Sequence, residues 1–465
     1  MRKIMRKIIG IRREDKNEWE KRVPLVPADV RWLKEKHGIH AIVQPSKIRI
    51  FADEEYRQAG AEISEDMSRA EVIYAVKEIP ASFFQKNKTY VFFSHTIKGQ
   101  AYNLPMLKTM VDLGCNLIDY ERVIDEKNQR LIFFGRYAGL AGMLDTLHAY
   151  GQKLLARAVP TPFAKIKQAY QYESLAAAKE AIAAIGAQID EHGFPTELCP
   201  LVVGFAGYGN VSRGAQEIFD LLPHKILSAE ALLEMAENFA NDNLNLFKVV
   251  FSEDDMVRPR QGIFDLQDYY THPEKYESEF ENYLPLLSIL VNCIYWTEKY
   301  PRLVSKEYLK NRTILESNLN LQVIGDISCD IDGSIQITNK ATKPDDAYYT
   351  YFAENDRFEN GIEPLGVTVM AVDNLPCEFP RESSVEFSAV LRDFVNAISG
   401  ADFSQEPETL KLPFAIQKAL ILQRGNFSRA YQYMNDFVTQ QSWIRALDNK
   451  FSLQKAKKIN YKALK

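Results

Sequence analysis

Cysteine is scarce in this sequence, which has five among its 465 residues: Cys115, Cys199, Cys293, Cys329 and Cys377. The number is odd, the spacings are wide, and no two of them form a C-x-x-C pair. Disulfide frameworks and zinc sites need even or closely spaced sets, so the pattern favours a reducing compartment. We expect each thiol to be packed as a small hydrophobe, and we predict no metal site.

Long hydrophobic runs are also missing. The apolar run Ile8–Ile11 follows basic residues, as in a signal peptide, but it is too short for the apolar core of one. The longest apolar stretch, Leu284–Trp296, is too short to cross a bilayer. The sequence therefore predicts a cytoplasmic protein with no membrane partner.

The charge is nearly balanced, with 57 basic residues against 62 acidic ones and a net charge of −5. This balance hides an asymmetry. Residues 411–465 contain 11 basic and 2 acidic residues, whereas 46 basic and 60 acidic residues precede them. The negative net charge of residues 1–410 disfavours nucleic-acid binding by that part of the chain. Such binding remains open only for the basic tail, residues 411–465. The 46% apolar content and the length predict two or three domains with large cores.

Short apolar runs alternate with helical patterns up to about residue 137 and again from Leu201. This alternation predicts an α/β fold with parallel sheets covered by helices. The predicted strands of the first series are Ile8–Ile11, Ala41–Gln44, Val72–Val76, Tyr90–Phe93 and Asn116–Ile118. The predicted helices are Pro27–Lys36, Leu104–Leu113, Gly139–Ala158 and Glu173–Ile185.

From Phe414 onward the pattern becomes helical throughout. Apolar residues recur at steps of three and four, with lysine and arginine on the other faces. They are Phe427, Tyr431, Met434 and Val438, and then Trp443, Leu447 and Phe451. We predict a basic helical extension over residues 401–465, with no link to the chemistry of the rest of the chain.

The clearest motif begins at Leu201, where an apolar strand runs into glycines and a helix opens behind them. Gly207 and Gly209 match the first two glycines of G-x-G-x-x-G, and Ser212 takes the third position. Such glycines let the backbone approach a pyrophosphate at a helix N-terminus. Asn210 and Val211 open that helix. The alternative is a glycine-rich turn with no ligand.

The strand expected after this motif is His224–Leu227, followed by Ser228. NAD-binding units place an acidic residue at the end of their second strand, where it contacts the ribose 2′-hydroxyl. Glu230 is the nearest acidic residue, and it does not stand at that end. A basic, hydroxyl-bearing strand end suits a 2′-phosphate better, which favours NADP over NAD.

Polar residues follow three predicted strands of the first series: Lys77 and Glu78, then His95 and Lys98, then Glu121. Ligands of open α/β sheets gather at the carboxyl ends of strands, so these side chains are expected to meet. Each has a simpler reading as a solvated pair or a structural histidine. From the residues alone, the prediction is an NAD(P)-dependent enzyme with a lysine/histidine site.

Several segments resemble those of a known superfamily. Arg13–Pro27, Val76–Glu78 and Phe92–Lys98 resemble the alanine dehydrogenase/transhydrogenase superfamily. Five others are similar to the lysine-forming saccharopine dehydrogenases: Ile118–Glu121, Phe134–Gly142, Asn292–Trp296, Gly325–Asp330 and Val372–Pro376. Gly207–Gln216 and His272–Tyr276 look most like the lysine-ketoglutarate reductase domain of bifunctional aminoadipic semialdehyde synthases. The resemblance covers about residues 8–395.

The resemblance implies a reversible reaction in which L-lysine, 2-oxoglutarate and NADPH give saccharopine. It also implies a role for each matching residue. Lys77 and His95 match the acid–base pair. Glu78 and Glu121 match carboxylates that would raise the pKa of that lysine or histidine. Lys98 and Asp373 match a further charged pair. Arg22 and Arg130 match the arginines that hold substrate carboxylates. The loops expected to line the nicotinamide site contain Asn292, Cys293, Ile294, Tyr295, Asp326 and Asp330.

The resemblance further implies two Rossmann-like domains around an inter-domain cleft. The substrate domain would comprise residues 7–137 and about 374–400, and the NAD(P)-binding domain residues 138–373. A separate saccharopine-oxidising enzyme is an expected partner, and a homo-oligomer remains open. Two other functions also remain open, an alanine-type amino-acid dehydrogenase and a non-catalytic nucleotide-binding regulator.

Overall fold

The computed structural model describes residues 7–234, 242–315, 320–406 and 409–439. Its contacts divide the chain into two units, the first containing the described residues up to Phe133 and from Pro380 onward, the second Phe134–Phe379. The chain therefore leaves the first unit once and returns to it. Within the described residues no helix combines the length and apolarity needed to cross a membrane.

Eighteen strands are assigned within the described residues. In chain order they are β1 (Ile8–Ile11), β2 (His40–Val43), β3 (Glu62–Ile63), β4 (Val72–Tyr74), β5 (Thr89–Phe92), β6 (Asn116–Asp119), β7 (Val202–Ala206), β8 (His224–Leu227), β9 (Leu246–Phe251), β10 (Val257–Pro259), β11 (Tyr276–Ser278), β12 (Ile289–Asn292), β13 (Val323–Asp326), β14 (Tyr348–Phe352), β15 (Arg357–Asn360), β16 (Val367–Met370), β17 (Leu420–Gln423) and β18 (Asn426–Phe427).

The α-helices accompany them. They are α1 (Pro27–His37), α2 (Asp53–Gln58), α3 (Leu104–Asp112), α4 (Gly135–Ala156), α5 (Leu175–His192), α6 (Asn210–Phe219), α7 (Ala229–Glu234), α8 (Glu253–Met256), α9 (Leu266–Thr271), α10 (Lys306–Leu315), α11 (Pro380–Gly400), α12 (Phe414–Ala419) and α13 (Asn435–Val438). Local signals set their ends. Pro27 starts α1, and Gly38 ends it with φ +64°. The Ser174 hydroxyl caps α5 by accepting from the Ala177 N–H.

The sheet of the first unit has the order β18-β17-β6-β5-β4-β1-β2-β3. Strands β1 to β6 are all parallel, so their carboxyl ends share one edge. Strands β1, β2, β4, β5 and β6 are mainly buried because helices cover a parallel sheet, whereas the edge strand β3 is not buried. The α/β prediction is confirmed here, and the five predicted strands match β1, β2, β4, β5 and β6 to within two residues at each end.

The C-terminal segment of this sheet differs from the prediction. Helix is present at α12 and α13, but residues 420–427 form strands β17 and β18. Strand β17 pairs antiparallel with β6, bringing Leu420 opposite Ile118. The prediction of helix throughout was wrong at residues 420–427. Pairing of this apolar segment with β6 stabilises a strand there, whatever the local helical periodicity. Trp443, Leu447 and Phe451 lie outside the described residues.

The sheet of the second unit has the order β15-β14-β16-β13-β12-β7-β9-β8. Strands β7, β8, β9, β12, β13 and β16 are parallel, and β14 and β15 form an antiparallel hairpin at one edge. Helices α4 and α6 cross with backbone in contact. A Cβ on Gly139 would lie 1.9 Å from the Val211 carbonyl oxygen, and one on Gly214 would lie 2.1 Å from that of Arg136.

Candidate active site

The carboxyl ends of β1, β4, β5 and β6 lie along one edge of the first sheet. The segments that leave these strands carry Glu14, Lys77 with Glu78, His95 and Glu121 respectively. The parallel register thus brings the residues predicted at separate strand ends to the same edge. Glu14, which the sequence analysis did not single out, joins them there.

Glu78 and His95 form a hydrogen-bonded pair, with Glu78 Oε1 2.7 Å from His95 Nδ1. Lys16 Nζ donates to Glu78 Oε2 at 3.0 Å. Burial acts to raise the pKa of Glu78, but the bond to His95 and the nearby cationic groups outweigh it and hold that pKa well below its usual range. Glu78 is therefore a stable anion that orients the imidazole.

His95 is held in an uncommon backbone conformation, with φ +47°. The Asn103 side-chain amide supports it by donating to the carbonyls of Ser94, at 2.9 Å, and His95, at 3.1 Å. A left-handed conformation at a non-glycine residue costs on the order of 1–3 kcal/mol and is retained where the surroundings impose it. The turn therefore fixes the direction in which the imidazole leaves β5.

Lys77 is anchored through its backbone. The carboxylate of Glu14 accepts from the N–H of Val76 at 2.7 Å and from that of Lys77 at 3.0 Å. Burial and the charge of Glu20 raise the pKa of Glu14 to about 7. Glu14 thus joins β1 to the residue that follows β4.

The pKa of Lys77 is lowered from its ordinary value. Burial is the largest cause, followed by the positive charge of Arg22, and Lys16 adds to the effect. Glu20 and Glu78 act in the opposite direction but do not prevail. We expected nearby carboxylates to raise this pKa, and the net shift has the other sign. An amine of lowered pKa exchanges protons closer to neutral pH.

The two predicted substrate-binding arginines both have carboxylate partners inside the chain. Arg22 Nε and Nη2 donate to the two oxygens of Glu20 at 2.7 and 2.6 Å, and this ion pair is almost fully buried. Arg130 Nη2 donates to Glu121 Oε1 at 2.6 Å, and its side chain is half-exposed. Arg130 is thus the more accessible of the two. Lys98 is exposed in the first unit, and Asp373 is exposed in the second.

Asp119, at the end of β6, ties two of these loops together. It accepts from the N–H of Ser94 at 3.1 Å and from that of Glu121 at 2.8 Å. Burial raises the pKa of Asp119 to about 6. Asp119 lies within the quoted segment Ile118–Glu121, as Glu14, Lys16 and Glu20 lie within Arg13–Pro27. The motifs therefore contained these residues, but their contacts are tertiary.

The C-terminal segment 428–438 contacts the same loops. The Tyr433 hydroxyl donates to the Ile97 carbonyl at 2.8 Å, and Arg122 Nε donates to the Tyr431 hydroxyl at 3.0 Å. A Cβ on Gly99 would lie 3.0 Å from the ring of Phe437. The tail that the sequence analysis left unconnected thus holds the loop that follows His95. No periodicity signal could have located this contact.

The glycine turn of the second unit has the geometry that a dinucleotide requires. Gly207 has φ +91°, and a Cβ there would lie 3.0 Å from the Ile294 side chain. Gly209 faces open space and precedes α6, whose N-terminus has no side-chain cap. The first N–H groups of α6 can therefore donate hydrogen bonds to an anion. Ser212 is fully buried, as the third position of the motif demands.

A cavity of about 490 Å³ opens at this turn, at the carboxyl ends of β7, β9 and β12. Predicted residues Gly207, Gly209, Cys293, Ile294 and Tyr295 line it. Its other walls, which the sequence analysis did not predict, contain Tyr208, Glu253, Met256, Val257, Tyr269, Tyr270, Trp296, Tyr300, Pro301, Arg302 and Leu303. An aromatic lining of this kind suits a nucleoside.

Other predicted residues of this site lie outside the cavity lining. Asn292 is fully buried and donates to Asp326 Oδ1 at 2.7 Å, which ties the ends of β12 and β13. Burial raises the pKa of Asp326 to about 6. Asp330 is exposed, and Asn210 and Val211 open α6. Asn292 and Asp326 thus position the loops that follow β12 and β13 without lining the cavity.

Ser228 does not stand where the cofactor argument placed it. It follows β8, which is the edge strand, whereas β9 is the neighbour of β7. Its hydroxyl accepts from the Ala231 N–H at 3.0 Å and caps α7. The argument from Ser228 assumed that β8 lies next to β7, but β9 lies between them, because strand order is set by long-range pairing that the sequence order of strands does not reveal. The preference for NADP stays a prediction.

None of the five cysteines forms a disulfide. Burial raises the pKa of the thiols of Cys115, Cys199, Cys293 and Cys329, for Cys115 to about 12. Such thiols are poor nucleophiles at neutral pH. They behave as the small hydrophobes that the sequence analysis predicted.

A family model matches the N-terminal part of the chain. Residues 10–141 match the model of the "Alanine dehydrogenase/PNT, N-terminal domain". This segment contains Glu14, Lys77, Glu78, His95 and Glu121. Residues 10–141 are an alanine dehydrogenase/PNT N-terminal domain. The site at the carboxyl ends of β1, β4, β5 and β6 therefore lies inside this domain.

Relatives extend the match beyond the alanine dehydrogenase/PNT N-terminal domain. The chain is 38% identical over 93% of its length to alpha-aminoadipic semialdehyde synthase of Arabidopsis thaliana, and 32% identical over 95% to the mitochondrial one of Mus musculus. It spans only 42% and 49% of those proteins. Over 80% of the chain it is 26% identical to the Emericella nidulans "Saccharopine dehydrogenase [NAD(+), L-lysine-forming]", of which it covers 87%. The chain is thus a homologue of these proteins.

Solved structures confirm the fold. An L-alanine dehydrogenase structure covers 93% of the chain with a TM-score of 0.59 at 18% identity, and all of that structure is matched. A transhydrogenase from Sinorhizobium meliloti covers 90% with a TM-score of 0.53 at 14% identity. At such identities the likeness concerns the fold alone.

Proposed function

We propose that the chain catalyses the reversible reductive condensation of L-lysine with 2-oxoglutarate to give saccharopine. The observation that carries this proposal is the cluster of Lys77 with Glu78 and His95 at one sheet edge, inside a chain homologous to the synthases. Joining an amine to an oxo acid requires proton transfer at the amine nitrogen and at the oxygen that leaves as water. The Lys77 amine, whose pKa is lowered, and the His95 imidazole, held by the ionised Glu78, suit this requirement.

Lys77 takes the role of base in this proposal. Its lowered pKa lets the neutral amine accept a proton from the substrate ammonium, which must be deprotonated before it attacks the ketone carbon. His95, oriented by Glu78, then donates a proton to the departing oxygen. Arg130 is the exposed cation that would hold a substrate carboxylate, in exchange for Glu121.

The glycine turn and the N-terminus of α6 would hold the dinucleotide pyrophosphate, and the cavity beside them would hold its nucleoside. When bound, the dinucleotide supplies the hydride that reduces the carbon–nitrogen double bond. Its identity is a separate question, since the reductase branch suggests NADP and the Emericella nidulans relative has NAD(+) in its name. A cytoplasmic location and a separate saccharopine-oxidising enzyme remain predictions.

A matrix of amines and oxo acids assayed with NADPH and with NADH tests this function. We expect dinucleotide oxidation that needs lysine and 2-oxoglutarate together and yields saccharopine. A product formed from pyruvate and ammonia, with no reaction of the lysine pair, would replace the proposal by an alanine-type dehydrogenase. Dinucleotide binding without turnover of any pair would favour a non-catalytic regulator.

A further inference from the structure

A second cavity, of about 570 Å³, opens at the other edge of the second sheet. Its lining includes residues at the amino ends of parallel strands, since Ser288 precedes β12, Gln322 precedes β13 and Val367 begins β16. The cavity beside the glycine turn lies at the carboxyl ends instead. Strand β12, which reaches both edges, is four residues long, or about 13 Å. The second cavity is therefore distinct from the site already described.

Charged side chains of both signs line this second cavity without neutralising one another. Arg157, Glu197 and Glu354 all belong to its lining, and none of them forms an ion pair with another described residue. Arg157 Nη1 donates instead to the uncharged side-chain oxygen of Gln322, at 3.0 Å. The three charges thus line one space but lie too far apart to pair. A ligand that carries a positive and a negative group could bridge them.

The other cation of the lining, Arg357, already has partners. It pairs with Glu359, which is not in the lining, and its guanidinium lies 4.3 Å from the centre of the Phe352 ring. Phe352 lines the cavity together with Leu198 and Leu365. The cavity therefore has an apolar wall beside its charged groups.

Two buried groups lie on the Arg157 side of the cavity. Ser288 is 2% exposed, and the Gln322 N–H donates to its carbonyl at 2.9 Å. Its hydroxyl accepts from the Val202 N–H at 3.3 Å and keeps its own O–H to donate. Lys153, one turn before Arg157 on α4, is fully buried, and burial followed by the charge of Arg157 lowers its pKa to about 7. An anion held by Arg157 would relieve this repulsion, so this side favours a carboxylate.

We propose that this cavity binds a free α-amino acid with an apolar side chain. The carboxylate of the ligand binds Arg157 and the Ser288 hydroxyl. Its ammonium group binds Glu197 and Glu354, and its side chain packs on the apolar wall that contains Phe352. The cavity shares no residue with the Lys77 cluster of the first unit, so this amino acid is bound and not converted. The inference therefore goes beyond the proposed function and does not depend on it.

Equilibrium dialysis of the full chain with radiolabelled L-leucine and L-phenylalanine tests this site. Two competitors each lack one charged group of leucine: 4-methylpentanoate has no amine, and 3-methylbutylamine has no carboxylate. We expect both amino acids to bind, and each competitor to bind at least about tenfold more weakly than leucine, as the loss of one charge-assisted hydrogen bond predicts. Binding of neither amino acid would overturn the inference. A competitor as strong as leucine would also overturn it, since one charge would then suffice.

Variants show where the amino acid binds. Arg157→Gln, and the double variant Glu197→Gln with Glu354→Gln, should each weaken leucine binding by at least about tenfold. The matched controls are Glu180→Gln, on the exposed face of α5, and Arg130→Gln, at the proposed active site, and both should bind leucine as the wild type does. Binding lost in Arg130→Gln but kept in Arg157→Gln would place leucine at the active site and overturn the inference. The replaced side chains of the cavity are exposed, and circular dichroism checks that each variant folds.

Discussion

At the scale of single residues, the site depends on charges that oppose one another at close range. Lys77 is surrounded by two cations and two anions, and burial with the cations sets the sign of its pKa shift. The two anions have other roles, because Glu20 neutralises Arg22 and Glu78 orients His95. Removing one partner of a buried pair such as Arg22–Glu20 costs about 3–5 kcal/mol of stability, so both residues have a structural role besides any contact with substrate.

Replacement of Lys77 tests the proposed base. Lys77→Met should lower kcat by about 10²–10⁴-fold, the range for loss of a general acid–base group, with little change in dinucleotide affinity. Steady-state kinetics and titration with the nicotinamide dinucleotide measure the two effects. Lys108→Met, on the exposed face of α3, is the matched control and should retain full activity. An unchanged kcat in Lys77→Met would remove this residue from the mechanism.

Lys16 gives a test of the electrostatics. Its positive charge lowers the pKa of Lys77, and it also pairs with Glu78. Lys16→Met should therefore raise the pKa of Lys77 and move the corresponding limb of the kcat/KM pH profile to higher pH. Lys16→Arg, which keeps the charge, should restore the profile. A limb that does not move would show that it reports another group.

At the scale of elements, strand β17 extends the sheet beside β6. The segment that follows it, residues 428–438, contacts the loop after His95. Residues 428–438 therefore act as a brace for that loop, through Tyr433 and Phe437. The brace adds no chemical group to the proposed reaction. Its effect on rate would come from the geometry of His95, because small displacements of a positioned group reduce rates strongly.

The double variant Tyr433→Phe with Phe437→Ala tests this brace. It removes the hydrogen bond to Ile97 and the ring packed at Gly99, so kcat should fall by roughly tenfold while dinucleotide binding is retained. Tyr172→Phe, which removes the hydroxyl that accepts a hydrogen bond from the Lys167 N–H in the second unit, should leave kcat unchanged. A loss of dinucleotide binding in the double variant would indicate general unfolding and contradict a local role.

At the scale of the whole molecule, buried carboxyls make stability depend on pH. Burial raises the pKa of Glu14 to about 7, of Asp119 to about 6 and of Asp326 to about 6. Asp145 on α4 and Glu378 share a buried hydrogen bond, and burial raises both pKa values, for Asp145 to about 7. Their neighbours in the fold are backbone N–H groups of Ala169 and Tyr170.

A folded-state pKa above the unfolded one means that the native protein binds more protons between about pH 4 and pH 7. The free energy of unfolding then falls as pH rises through this window. We predict a lower melting temperature at pH 8 than at pH 5, by about 2–4 °C for each kcal/mol lost. Asp145→Asn should flatten the dependence, and Asp112→Asn on the surface of α3 should not. A melting temperature that rises with pH would contradict this account.

The sequence by itself determined the local elements and the chemistry at their ends. Strands β1, β2, β4, β5 and β6, the glycine turn at Gly207 and the residues after each strand were all readable, because hydrophobic period and turn chemistry act over a few residues. The same local reasoning placed Lys77, Glu78 and His95 at one edge, because parallel strands share their carboxyl ends.

Tertiary structure alone decided the rest. Which strand pairs with β7, which residue holds the imidazole of His95, and where residues 420–438 pack all depend on contacts between segments far apart in the chain. Such contacts are chosen by the burial and hydrogen bonding of the whole sheet, and a one-dimensional pattern does not record them. That is why Ser228 and the helical tail were misplaced, whereas Glu253 and Tyr433 became visible only in the fold.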